Sequence, residues 1–286
     1  MIIISRSDHG VLYLVATPIG NLSDISSRAL ETLRDVDFIA AEDTRVTRKL
    51  LEHFNIKKSL ISYYKHNSRS SGEKIINRIT GGDCCALVTD AGMPGISDPG
   101  EDLVRLCVDE NIRIIAIPGP CAAVTALSMS GLPAGRFIFE GFLSADKKKR
   151  SLQLNELINE KRTVVFYEAP HKLLRTLTDM LKILGDRRIS ISREMTKIYE
   201  ETLRMTLSEA VIHFEDKTPR GEFVIVVEGD DSGPPSDNKL EDAVNIAAAL
   251  IEGGMSAKDA VKKAAGETGC SRNALYKIVV NDHRIP

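Results

Sequence analysis

The five cysteines, Cys84, Cys85, Cys107, Cys121 and Cys270, are odd in number, and no two form C-x-x-C. This excludes a disulfide framework and a cysteine-rich zinc site, and it suits a reducing cytoplasm. No apolar run approaches the length that crosses a bilayer, and the start, MIIISRSDHG, has an apolar triplet without a signal-peptide core. The expectation is therefore a cytoplasmic protein with no membrane partner, whose Met1–Gly10 is a loose lead-in or an extra edge segment. Net charge is also scarce: 38 Lys and Arg stand against 40 Asp and Glu, a formal −2. A field covering the whole molecule cannot name a partner, so any nucleic-acid surface must be local. There is no G-x-x-x-x-G-K-[ST], and no G-x-G-x-x-G opens a helix after the first strand, so nucleotide hydrolysis and dinucleotide redox chemistry lose support. No internal repeat is present.

What remains is 286 residues of ordinary soluble composition, more than one compact core holds. From VLYLVATPIGN to CAAVTALSMSG, strand-like and helix-like segments alternate, which predicts an α/β fold with a mostly parallel sheet covered on both faces. Ser23 or Asp24 caps the first helix and Thr44 the second; Gly81-Gly82 stops the third. After Leu132 the pattern changes to a second α/β region, probed best by HKLLRTLTDMLKILG, where Leu173, Leu174, Leu177, Met180, Leu181 and Leu184 form one stripe. GDDSGPPSDN is a linker. Beyond it, Ser256 and Ser271 start helices around a turn at Gly266–Gly269, a helix-turn-helix-like unit or a packing appendage. The expected division is residues 1–132, an α/β domain with the cleft; 133–229, a second α/β domain; 230–238, linker; and 239–286, helical.

Five loops follow strands in the first region: Thr17–Asn21, Glu42–Arg45, His66-Asn67, Asp90–Gly100 and Pro118–Cys121. In open α/β sheets ligands sit beyond the carboxyl ends of strands. Glycine and proline there leave backbone bare, so the loops read as the floor of a ligand cleft.

LYLVATPIGNLSDIS, AAEDTR, TDAGMPGISDPG, IPGPCAAVTALSMSGLP, FYEAPHKLLRTL, SREMTKIYEE and RGEFVIVVEG, in order over residues 11–230, resemble the tetrapyrrole-methylase superfamily, in its branch that acts on ribosomal RNA. The resemblance implies two α/β domains that clasp S-adenosylmethionine between them, release S-adenosylhomocysteine and work as a homodimer without a metal. It implies methylation of a cytidine ribose 2′-hydroxyl in the decoding region of 16S RNA in the small ribosomal subunit. It carries cofactor contacts to Pro18 and Ile19; to Asp90, Gly92, Met93, Pro94, Ile96 and Ser97; to Cys121 and Ala122; to Phe166 and Tyr167; and to Arg193 and Gly221. Met93 stands where other members of the superfamily have aspartate. Same-fold relatives methylate tetrapyrrole carbons, and a cofactor-sensing nucleic-acid binder is a third reading.

A ribose hydroxyl is a weak acid, so a base should assist its attack. Candidates are Glu168 and His171 in YEAPH, Asp43 in AEDTR, and His66. Each has a structural alternative: Glu168 as a helix cap, Asp43 as a cap or the ion-pair partner of Arg45, His66 as a loop tether. Candidate RNA contacts are Arg45, the run Lys147, Lys148, Lys149 and Arg150, and the tail's Arg272 and Lys277.

Overall fold

The computed structural model describes residues 10–230, 237–268, 270 and 272–281. Most of the expected lead-in, the centre of the linker, the cap Ser271 and the side chain of Lys277 therefore lie outside the described residues. The chain divides at Gly229 into two compact units.

The first unit holds two five-stranded sheets. β1 (Val11–Val15), β2 (Phe38–Ala41), β3 (Ser59–Ser62), β4 (Cys85–Val88) and β5 (Arg113–Ile117) pair in parallel in the order β3-β2-β4-β1-β5. Strand alternation assigns the two faces. Val11, Tyr13, Val15, Ile39, Ala41, Ala86 and Val88 pack under α1 (Ser27–Asp35) and α2 (Thr44–His53). Leu12, Phe38, Ala40, Cys85 and Leu87 pack under α3 (Ser68–Thr80) and α4 (Gly100–Asp109). The caps differ from the expected ones. Ser26 caps α1, accepting from the Ala29 amide at 3.1 Å, because Leu22–Asp24 forms a separate 3-10 turn. Asp43, not Thr44, caps α2.

The second sheet joins β6 (Phe137–Phe142), β7 (Thr163–Glu168), β8 (Arg188–Arg193), β9 (Glu201–Thr206) and β10 (Phe223–Val227) in the order β6-β7-β10-β8-β9, with only β6–β7 parallel. One face is covered by α6 (Lys147–Glu156), α7 (Leu173–Leu184) and α8 (Leu207–Glu215). The expected α7 stripe is there: Leu173, Leu177, Met180 and Leu184 are buried, and Leu174 and Leu181 pack at its edge. The other face is covered by α5 (Ala122–Ser130), whose Ala123, Ala126 and Leu127 meet Val165, Val224 and Val226. So α5, grouped from sequence with residues 1–132, packs on the second sheet.

The second unit has α9 (Asp237–Glu252), α10 (Ala257–Thr268) and α11 (Arg272–Asn281) around Ala243, Ala247, Val261, Ala264, Leu275 and Val279. Ser256 caps α10, its hydroxyl accepting from the Asp259 amide at 3.2 Å. α10 runs through Gly266, where a turn was expected. Burial of Ala264 and Ala265 outweighs the roughly 1 kcal/mol that a helical glycine costs.

Candidate active site

β1, β2 and β4 end at one mouth, and the loops that follow them wall a cavity of about 450 Å³. That is within the roughly 300–1,000 Å³ of small-molecule sites. The loops after β1 and β4 are stitched together: Thr17 and Gly92 exchange two backbone hydrogen bonds, at 3.0 and 3.1 Å.

Asp98 organises the floor. Its carboxylate accepts from the amides of Gly95 at 2.9 Å, Ile96 at 3.0 Å and Gly100 at 2.7 Å. A Cβ on Gly100 would lie 2.6 Å from the Asp98 Oδ1, so this wrap requires glycine there. Gly141, at a bulge in β6 with φ +67°, brings the second sheet against the same loop; a Cβ there would sit 2.9 Å from the Ser97 Oγ. The Gly/Pro-rich segment is thus a fixed shell, with Gly92, Met93, Ile96 and Ser97 facing the cavity.

One wall is apolar. Ile19, Met195, Phe142 and Val224 line it, and the Tyr167 ring stands edge-on to Phe139 and Phe142, with centroids 5.0 and 5.5 Å away. The Tyr167 hydroxyl accepts from the Ala123 amide at 3.2 Å, fixing the start of α5 beside Cys121 and Ala122. Burial pushes this phenol up to about 12. The lining also carries acids. Glu42 and Asp90 both line the cavity. Burial first, then the Asp90 charge, pushes the Glu42 carboxyl up; burial also pushes Asp90 up, against the Asp43 amide that it accepts from. Such a site favours a ligand with a flat apolar part and a positive charge.

Of the expected cofactor contacts, Ile19, Asp90, Gly92, Met93, Ile96, Ser97, Cys121, Ala122 and Tyr167 line the cavity. Pro18, Pro94, Phe166, Arg193 and Gly221 do not line it. Phe166 points into the opposite core, as strand alternation from Tyr167 requires. Arg193 reaches Glu201 at 3.4 Å. Gly221 sits against Glu194 with φ +91°.

The four candidate bases are not brought together. Asp43 caps α2 and holds the Arg45 guanidinium at 2.6 Å, which keeps its carboxyl down at about 2. Glu168 lines the cavity, but its Oε1 accepts from the Ala169 amide at 2.8 Å and its Oε2 from the Thr176 hydroxyl at 2.6 Å. It is a buried brace between β7 and α7. His66 and His171 are exposed and do not line the cavity. Sequence reasoning passed over Glu42. The signal was available: in AAEDTR the aspartate suits a helix cap, which leaves the glutamate free.

The basic residues also separate. Lys147, Lys148 and Lys149 are exposed on the first turn of α6, soon after cavity-lining Phe142. Cations at a helix N-terminus oppose its dipole. Asp146 offsets this by capping the Lys149 amide at 2.9 Å. Arg150 is excluded as an RNA contact: its side chain is 2% exposed, pairs with Asp179 at 2.6 Å and donates to the Ser144 and Ala145 carbonyls. Arg45 is exposed but bound to Asp43; Arg272 is exposed on α11.

A family model of Tetrapyrrole (Corrin/Porphyrin) Methylases matches residues 11–211, and one of the RsmI C-terminal HTH domain matches residues 237–281. The chain is 49% identical over 276 residues to the Ribosomal RNA small subunit methyltransferase I of Halalkalibacterium halodurans, covering 96% of each. It is 46% identical over 273 residues to that of Synechocystis, covering 94% of this chain and 97% of the relative. The Thermotoga maritima relative, 50% identical over 220 residues, is matched over 99% of its length by 77% of this chain. A uroporphyrin-III C-methyl transferase from Thermus thermophilus, solved with S-adenyl homocysteine, is similar in fold: TM-score 0.54, 16% identity, covering 76% of this chain and 97% of the other.

Proposed function

The chain belongs to the tetrapyrrole methylase family, among the ribosomal RNA small subunit methyltransferases I, and from that premise we propose that it methylates the 2′-hydroxyl of a cytidine in the decoding region of 16S RNA. The observation that carries the reading is the meeting of this identity with a cavity lined by both apolar side chains and acids. S-adenosylmethionine, when bound, supplies a methyl group made electrophilic by its own sulfonium, leaves as S-adenosylhomocysteine and needs no metal.

The residues fit that group. Ile19, Met195, Val224 and the Tyr167 ring offer a face for its adenine; the shell from Gly92 to Ser97 offers bare backbone; Glu42 and Asp90 favour its positive charge. Positioning supplies much of the rate in a displacement of this kind. Lys147–Lys149 and, in the second unit, Arg272 meet phosphate. The tetrapyrrole reading has only the fold behind it, at 16% identity. We place the enzyme in the cytoplasm as a homodimer that takes the small subunit as substrate.

The test is methyl transfer from labelled S-adenosylmethionine to unmodified small subunits, naked rRNA and a tetrapyrrole precursor, with RNA digested to nucleosides. Label in 2′-O-methylcytidine is expected. Label in the tetrapyrrole, or tight cofactor binding with no transfer to any acceptor, overturns the reading.

A further inference from the structure

We propose that Glu42 is the catalytic base that takes the proton from the attacking ribose hydroxyl. This rests on the methyltransferase reading above.

Glu42 follows β2 directly, at the carboxyl end of a strand interior to the sheet, and its half-buried side chain lines the cavity. The other acids of the lining and of its loops each carry a hydrogen bond or ion pair, Glu222 through Lys197 at 2.9 Å. Both Asp43 oxygens hold Arg45, at 3.0 and 2.6 Å. Both Asp98 oxygens hold loop amides. The Asp90 Oδ1 accepts from the Asp43 amide at 3.1 Å. Glu168 is doubly bound to its own loop and to α7. Glu42 lines the cavity with the Asp90 amide as its hydrogen-bond donor, and Arg45, the nearest cation in sequence, is taken by Asp43.

The groups around Glu42 adjust its basicity. Desolvation and the charges of Asp90, Asp98 and Asp43 all raise its proton affinity; the Asp90 amide acts in the opposite sense. An acid whose proton affinity lies closer to working pH is a better proton acceptor in the transition state. The step balances without a further reactant. The hydroxyl oxygen bonds to the methyl carbon, the carbon–sulfur bond breaks with its electron pair left on sulfur, and the proton passes to a Glu42 carboxylate oxygen, then to water.

The test compares Glu42→Gln and Glu42→Asp with the native chain in three measurements: S-adenosylhomocysteine affinity by calorimetry, thermal melting, and single-turnover transfer to small subunits between about pH 5.5 and 9. Glu42→Gln is expected to lower the transfer rate by about 10²–10⁴-fold, to abolish the acidic limb of the pH profile, and to keep the affinity for S-adenosylhomocysteine, which has no sulfonium charge for Glu42 to meet, within about threefold. Glu42→Asp is expected to recover part of the rate and keep a displaced limb. Transfer by Glu42→Gln within about threefold of native overturns the proposal, as does a loss confined to cofactor affinity with the limb intact. If Glu42→Gln does not fold, an Glu42→Asp profile that superimposes on the native one overturns it. A native chain that binds cofactor and methylates no RNA fails the parent reading instead.

Discussion

Asp98 shapes the cavity floor more than the residues that only face it, because three backbone amides converge on one carboxylate. Charge-assisted bonds of this kind are worth about 1.5–3 kcal/mol each when buried, and the partly open loop lets water replace some of them. Asp98→Ala should therefore cost about 2 kcal/mol in urea unfolding and weaken S-adenosylhomocysteine binding, with Asp98→Asn between it and the native chain. A second expectation concerns pH. The Glu42 carboxyl is raised in the folded state, so the stability it contributes is present at low pH and is lost as pH rises through the folded value. Glu42→Gln should melt above the native chain at pH 7 and level with it near about pH 4, as read by calorimetry. Asp43 has the opposite sign: held at about 2 by Arg45, it contributes above its unfolded value and loses that contribution as pH falls through about 2. These two adjacent acids show what the sequence could say. Both were visible in AAEDTR; only the cap preference of aspartate, weighed against glutamate, separates the one that closes a helix from the one that faces the cavity.

At the level of elements, KKKR divides after its third residue. Helical period turns Arg150 inward while the three lysines stay in solvent. Removing one partner of the Arg150–Asp179 pair strands a charge between α6 and α7, so Arg150→Ala should cost about 3–5 kcal/mol in urea unfolding. Replacing Lys147, Lys148 and Lys149 together by alanine should leave stability within about 0.5 kcal/mol. It should weaken subunit binding and flatten its salt dependence by roughly two logarithmic units per decade of salt for three lost phosphate contacts. An unchanged salt slope would remove these lysines from the RNA surface. A run of four basic residues carries no mark of which one is buried; the Asp179 that fixes it is far along the chain. The same limit hid the place of α5. AAVTALSMS is apolar or small on most sides, so no stripe tells which sheet it covers, and its contacts with Val165, Val224 and Val226 are made much later in sequence. By contrast the parallel order of the first sheet was legible as fold class, because FIAA and CALV are buried at every position, the pattern of strands covered on both faces.

For the whole molecule, the separation of cores decides what the tail can be doing. The four apolar clusters of the two-sheet unit contain residues from 11 to 227, and the cluster of the helical unit draws only on residues 243–279. Every cavity-lining residue belongs to the first group. The Thermotoga maritima relative is matched over 99% of its length by 77% of this chain. A chain ending at Gly229 should then unfold cooperatively and bind S-adenosylhomocysteine within about threefold of the full chain, since the described cavity-lining residues all precede Gly229. If the helical unit adds affinity for the ribosomal particle, its loss acts on encounter and leaves the chemistry alone. The truncated chain should show a raised KM for small subunits, with a gentler dependence on salt, at a nearly unchanged kcat. A fall in kcat at saturating subunit would instead mean that the helical unit helps to place the target ribose against the cavity, and would move it from an RNA-holding role into the positioning of the reaction.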